Sequence, residues 1–145
     1  MQRDYVLELP NDLRKIEGSV EELMEQAQEA GFDADRLRLN FRVCVTEALA
    51  NAMLYGNCRD PRKCVRIEAH LSSEQVVVEV TDEGRGFNPA SVLDPTLPDN
   101  RLRAGGRGLF LIRKLMDVVE FNDRGNSIKM VLFSRDAAPV RRVGS

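Results

Sequence analysis

An excess of charge of one sign is what this sequence most plainly lacks. Its 21 basic and 23 acidic residues leave a net charge of −2, which offers no electrostatic footprint for nucleic acid or an anionic membrane. Long apolar runs are missing too. Nothing approaches the roughly 20 consecutive apolar residues that span a bilayer, and the first residues do not have the pattern of a secretory signal. Metal ligands are scarce. One histidine, His70, and three cysteines, Cys44, Cys58 and Cys64, are odd in number and unpatterned, so they make no zinc set. The thiols are expected to be reduced, in a cytoplasmic protein. Internal repeats and low-complexity segments are also absent. What is there is a chain of 145 residues, 43% hydrophobic and 30% charged, the profile of one globular domain able to bury a core without staples.

The stretch from Val76 to Gly86 organises that domain. Side chains alternate faces along a strand, so Val76, Val78, Val80 and Asp82 share one row. Asp82 ends a row that its valines would send into a core, and a carboxylate there needs donors. Gly84 and Gly86 follow directly and allow close approach of backbone to a ligand. Two readings stand at this point: a strand closed by an ordinary Asp-Glu-Gly turn, or a strand delivering one acceptor into a glycine-rimmed pocket.

Before it, Tyr5 to Leu9 reads as a strand closed by Pro10. A helix follows, with Asn11 as its expected cap, apolar residues at Leu13, Ile16, Val20, Leu23, Met24 and Ala27, and Gly31 just past its end. Asp33 or Asp35 can cap a second helix, from about Arg36 to Tyr55. Leu37, Phe41, Cys44, Val45, Ala48 and Ala52 fall in one arc and form its core face. Glu47 and Asn51, four residues apart, stack on one shoulder of that face, with Asn40 on the same side. They read either as helix-edge polar residues reaching water or, on a surface kept low by Ala48, Ala50 and Ala52, as a site for a hard cation and a hydroxyl nucleophile.

Two strands are expected next, Cys64 to Leu71 and Gln75 to Asp82, in an antiparallel hairpin. His70 lies in the first and reads as a structural or surface residue. From Phe87 to Arg103 the pattern dissolves among prolines, as expected of a lid or a disordered loop. Ala104-Gly105-Gly106-Arg107-Gly108 then reads as a glycine loop running into a helix at Leu109, an arrangement suited to anions. Arg101, Arg103 and Arg107 would add charge-assisted donors for phosphate. It matches neither the dinucleotide fingerprint nor the Walker loop. A last hairpin, Val118 to Asn122 and Ser127 to Ser134, completes a domain over residues 1–135, with 136–145 as a flexible tail.

The Glu47/Asn51 helix, the Asp82-Glu83-Gly84-Arg85-Gly86 turn, a lid and the Gly105-Gly106-Arg107-Gly108 helix start occur in a specific order. That order resembles the Bergerat-fold nucleotide domain of gyrase-type, heat-shock-chaperone and histidine-kinase ATPases. Thr46-Glu47-Ala48-Leu49-Ala50-Asn51-Ala52 and Gly105-Gly106-Arg107-Gly108-Leu109-Phe110-Leu111-Ile112 are similar, more narrowly, to the bacterial anti-sigma-factor serine/threonine kinases. The resemblance covers about Tyr5 to Ser134. It implies an α/β sandwich (a two-layer α+β fold) with a mixed, mainly antiparallel sheet, helices on one face, and ATP with Mg²⁺ between helices and lid. By the same resemblance Asp82 would read adenine, Asn51 would ligate Mg²⁺, and Glu47 would be the base that activates a partner's serine. Gly84 and Gly86 would flank the base, Gly105, Gly106, Arg107 and Gly108 would hold phosphates, and Arg103 would meet the γ-phosphate. The implied partners are a sigma factor and an anti-anti-sigma protein, for a homodimer with no direct contact to nucleic acid or membrane. Two alternatives remain: an ATP-dependent binding module without phosphate transfer, or a histidine-kinase catalytic fragment. Against the fragment, no phosphoacceptor-bearing dimerisation helix is expected ahead of the nucleotide domain.

Overall fold

Alternation of apolar and polar residues builds the sheet. In β2 (Cys64–Leu71) Val65, Ile67, Ala69 and Leu71 are buried, while Arg66 and His70 are exposed. In β3 (Gln75–Thr81) Val76, Val78 and Val80 face the same way and are at most 2% exposed. β1 (Arg3–Pro10) pairs with β2 in the register Leu7 to Ile67. β4 (Val118–Phe121) and β5 (Ser127–Phe133) form the last hairpin. The computed structural model describes residues 2–84 and 100–135, with the backbone alone for 100–107. Within them the five strands run in the order β1-β2-β3-β5-β4, and every pairing is antiparallel. The expected mainly antiparallel sheet is thus present, and its strands end within a residue or two of the sequence reading.

The helices lie on one face. α1 (Ile16–Glu29) buries Ile16, Val20, Leu23, Met24 and Ala27. It ends as expected at Gly31, whose φ is +98°. Gly31 N–H donates to the Gln28 carbonyl and Phe32 N–H to the Ala27 carbonyl, the two-bond closure that a left-handed residue after a helix permits. α2 is a helical run through residues 34–56, α-helical over Ala34–Arg36 and Arg42–Asn51 and of π type over Leu37–Phe41 and Ala52–Gly56. Its expected core face is buried throughout, and Leu49 and Met53 widen it. α3 (Asn100–Leu115) packs against α2. Helices and inner sheet face share one core that includes Leu23, Phe41, Leu49, Ile67, Leu71, Ile112 and Leu132. Burial of side chains of this size stabilises the fold by roughly 1.5–3 kcal/mol each.

Three expectations need correcting. Asn11 does not cap α1. Asp12 accepts from Arg14 N–H and caps a short 3₁₀ turn, Leu13–Lys15, ahead of it. Asn11 instead donates to the carbonyls of Met53 and Asp60, long-range acceptors that outcompete a local role. Leu13, expected in the core stripe, is 48% exposed because it sits in that turn. The Gly105-Gly106-Arg107-Gly108 run is helical rather than a loop before a helix, since α3 begins at Asn100. Glycine costs a helix about 1 kcal/mol relative to alanine without forbidding it, and Leu102 and Ala104 are strong helix formers. By the same early start of α3, the lid expected over Phe87 to Arg103 is helix rather than loop over residues 100–103, while its residues 87–99, Gly86 and the tail 136–145 lie outside the described residues.

The topology decides what stands beside Asp82. The chain leaves β3, passes through α3 to the edge strand β4, and returns as β5 in the slot next to β3. Thr81 therefore pairs with Ser127, and Asp82 meets the turn between β4 and β5.

Candidate functional site

Asp82 sits where β3 ends, and its turn is held from several directions. Its N–H donates to the Asn126 carbonyl at 2.9 Å, and its carbonyl accepts from Asn126 Nδ2 at 3.0 Å. One carboxylate oxygen, Oδ1, accepts from Gly84 N–H at 2.8 Å. Arg124 Nη2 donates to the Gly84 carbonyl at 3.2 Å. Burial pushes the Asp82 carboxyl above the ordinary carboxylate range, opposed by the Gly84 N–H and by the charges of Lys63 and Arg124. The row of valines thus does end in a carboxylate that is neither solvated nor ion-paired in full.

Glycine makes the contact between helix end and turn possible. A Cβ on Gly56, the last residue of α2, would overlap the Asp82 carboxylate, and one on Gly84 would overlap the Gly56 carbonyl. Neither glycine has a positive φ, so it is space and not backbone freedom that requires them. Gly84 was expected to admit a ligand, and in the structure it admits the Gly56 carbonyl. Gly56 was not anticipated here, since it falls just past the helix expected to end at Tyr55, and the signal available was a glycine directly after an Asn51-to-Tyr55 helical turn.

At the other end stand Glu47 and Asn51, both half-buried on α2. Gly108 of α3 lies against them: a Cβ there would be 2.5 Å from Glu47 Oε1 and 3.1 Å from Asn51 Nδ2. Asn51 Nδ2 is buried and has no hydrogen-bond partner among the described residues, an arrangement costing about 1–3 kcal/mol unless something else satisfies it. Asn40, on the same shoulder, is spoken for. It donates to the Leu115 carbonyl at 2.7 Å and ties α2 to the end of α3.

A cleft joins the two ends. Asn51, Ala52, Tyr55 and Gly56 line it from α2, Leu109 from α3, and Val80, Asp82, Phe121 and Ile128 from the sheet side, around about 560 Å³ of empty space including its open mouth. Its walls are mostly apolar, with polar groups at the ends, the usual pattern of a small-molecule site. Tyr55, Leu109 and Phe121 were not singled out from sequence, because an apolar lining residue reads the same as a core residue. Arg103, Gly105, Gly106 and Arg107 lie on α3, the helix that carries Gly108. Cys44 is not a reactive thiol: burial, helped by the Glu47 charge, pushes it up to about 12. His70 pairs with Asp4 across the β1–β2 ladder at 2.9 Å, on the exposed face of the sheet. Among the described residues no group of three or more His, Cys, Asp or Glu side chains could cage a metal. The same residues include no helix long and apolar enough to cross a membrane.

Two layers with a polar-ended cleft between helices and sheet make an α+β domain built around a small-molecule cleft. A family model described as the histidine kinase-like ATPase domain matches residues 9–132, and the chain belongs to that family. Among curated relatives, an anti-sigma F factor of Clostridium beijerinckii is 30% identical over 96 residues, 63% of this chain and 66% of that protein. The serine-protein kinase RsbW of Listeria innocua is 28% identical over 114 residues, 74% of this chain and 72% of the relative. The serine/threonine-protein kinase BtrW of Bordetella bronchiseptica is 25% identical over 104 residues, 70% of this chain and 73% of the relative. The match thus spans about two thirds to three quarters of each relative's length.

Proposed function

We propose that this domain binds ATP with Mg²⁺ in the cleft, sequesters a sigma factor, and transfers phosphate to a serine of an anti-anti-sigma protein. The observation that carries the reading is convergence. Asn51 and Asp82 line one cleft, and Gly108 presses against Glu47 and Asn51 at its end. The names of the relatives, anti-sigma F factor and serine-protein kinase, support a sigma factor as partner and a protein serine as acceptor, and the anti-anti-sigma protein as its bearer rests on the resemblance of the motifs.

The residues present suit these ligands. Asp82 presents a fixed acceptor that matches the exocyclic amine of adenine, whereas guanine carries a carbonyl at that position. Gly86 would leave room beside the base, and Gly84, by admitting the Gly56 carbonyl, would hold the Asp82 turn close to it. Asn51 Nδ2, buried without a partner among the described residues, is a donor suited to a phosphate oxygen, and Oδ1 of the same amide would offer one hard ligand to a Mg²⁺ held mainly by phosphate oxygens and water. That ion, when bound, neutralises phosphate charge. Glu47, one helical turn from Asn51, would take the proton of an incoming serine hydroxyl as that oxygen bonds to the γ-phosphorus and ADP leaves. Arg103, Gly105, Gly106 and Arg107 of α3 would meet the phosphates.

Incubation with labelled ATP and candidate anti-anti-sigma proteins tests the proposal, with label expected on a serine of the cognate partner. ATP binding and sigma-factor binding without any transfer would leave a non-catalytic sequestering module. No ATP binding at all would refute the reading.

A further inference from the structure

Asn57 follows Gly56 directly, does not line the cleft, and is completely buried. A buried primary amide is stable only when its groups are paired, and this one is paired across three stretches of chain. Nδ2 donates to the Cys64 carbonyl at 3.0 Å and to Asn11 Oδ1 at 3.3 Å. Oδ1 accepts from Glu83 N–H at 2.8 Å. Glu83 is the residue between Asp82 and Gly84, so Asn57 grips the middle of the very turn that aims the Asp82 carboxylate. The grip is reinforced by Glu83 Oε1, which accepts from Cys64 N–H at 2.7 Å.

The backbone beyond Asn57 is shaped to keep it there. Cys58 and Arg59 have φ of +53° and +61°, a left-handed conformation that non-glycine residues hold at a cost and that persists only where surrounding contacts enforce it. Two such residues in succession reverse the chain at once after α2, while Asn57 stays turned inward. Asn126 secures the backbone of Asp82, and Asn57 secures the N–H of Glu83 next to it.

We propose that Asn57 is a positioning residue that sets the aim of the Asp82 carboxylate, and with it nucleotide affinity, without touching the nucleotide. The inference rests on the nucleotide reading of the cleft. If it holds, Asn57 acts only through Asp82, and the two residues must be coupled.

Calorimetric titration with ATP and Mg²⁺ of the parent, Asn57→Ala, Asp82→Asn and the double variant measures that coupling. Amide hydrogen exchange at Glu83 in the nucleotide-free proteins runs beside it. Asn57→Ala removes all three side-chain hydrogen bonds, of which only the one to Glu83 N–H bears on the turn, and it is expected to weaken ATP about tenfold and to speed Glu83 exchange about tenfold or more. In the Asp82→Asn background the same substitution should change ATP affinity less than about twofold. Should Asn57→Ala not fold, Asn57→Ser, which keeps a hydroxyl in the pocket but is too short to reach Glu83 N–H, is expected to give the same pattern. Parental ATP binding with unchanged affinity in a folded variant would overturn this inference alone, and so would an equal loss with Asp82 already replaced. A parent that binds no ATP would remove the nucleotide reading and this inference with it.

Discussion

The two ends of the cleft are built differently. At the Asp82 end nearly every polar group is engaged: Asn126, Gly84, Arg124 and Asn57 together fix a three-residue turn through five hydrogen bonds to its backbone or carboxylate. At the Glu47 end Asn51 Nδ2 is buried without a partner among the described residues, and Gly108 lies so close that a Cβ would crowd Glu47 and Asn51. A turn with fixed hydrogen-bonding groups recognises a rigid object, because nothing needs to be reorganised on binding. An unsatisfied amide beside a carboxylate suits a charged ligand that brings its own oxygens and ion. On the proposed reading, the rigid end meets the base and the less engaged end meets the phosphates.

The contrast can be broken first at the reacting end. Glu47→Gln keeps shape and packing but removes the base, so transfer to an antagonist serine should fall by about 10²–10⁴-fold. ATP affinity should change by less than about tenfold, and wild-type transfer in a single-turnover assay would sink the assignment. At the recognition end, Asp82→Asn should weaken ATP by roughly ten- to a hundredfold, read by calorimetry. Gly56→Ala tests the same end by crowding. Its Cβ collides with the Asp82 carboxylate, and a loss of about tenfold in ATP affinity is expected with little change at Glu47, so that transfer at saturating ATP stays near the parent's.

The smallest effect concerns stability. Because burial raises the Asp82 pKa, the folded chain binds more protons at this group than the unfolded chain between the ordinary and the raised value. Its contribution to stability therefore falls as pH rises through that window, and the penalty is complete above it. Asp82→Asn, free of the penalty, should show a higher unfolding midpoint than the parent at pH 7 without nucleotide. The advantage should shrink as pH is lowered toward 4, and thermal melts across that range would show no such convergence if the carboxylate were at ease in the fold.

Much of the frame was legible in sequence because it follows from local periodicity. Strands β2 and β3, the core face of α2 and the left-handed closure at Gly31 all depend on residues a few positions apart. Glu47, Asn51, Asp82 and Gly84 were legible as polar or glycine positions at the edge of a helix or strand. The pieces that hold them were not. Asn57, Asn126 and Arg124 matter only because β5 returns beside β3 and brings distant turns together, and no local pattern announces that. Asn11 misled for the same reason, since its side chain serves carbonyls more than 40 residues away and leaves the cap to Asp12. The glycine run in α3 was read by its usual preference for loops, which a helix can override at modest cost.

The central claim is that the Asp82 end reads adenine. Its most direct test is a pair of calorimetric titrations of the unmodified protein, one with ATP and Mg²⁺ and one with GTP and Mg²⁺. The account predicts ATP binding at least about tenfold tighter than GTP, the margin of one well-placed buried polar contact. Equal affinities for the two nucleotides, or binding of neither, would contradict it.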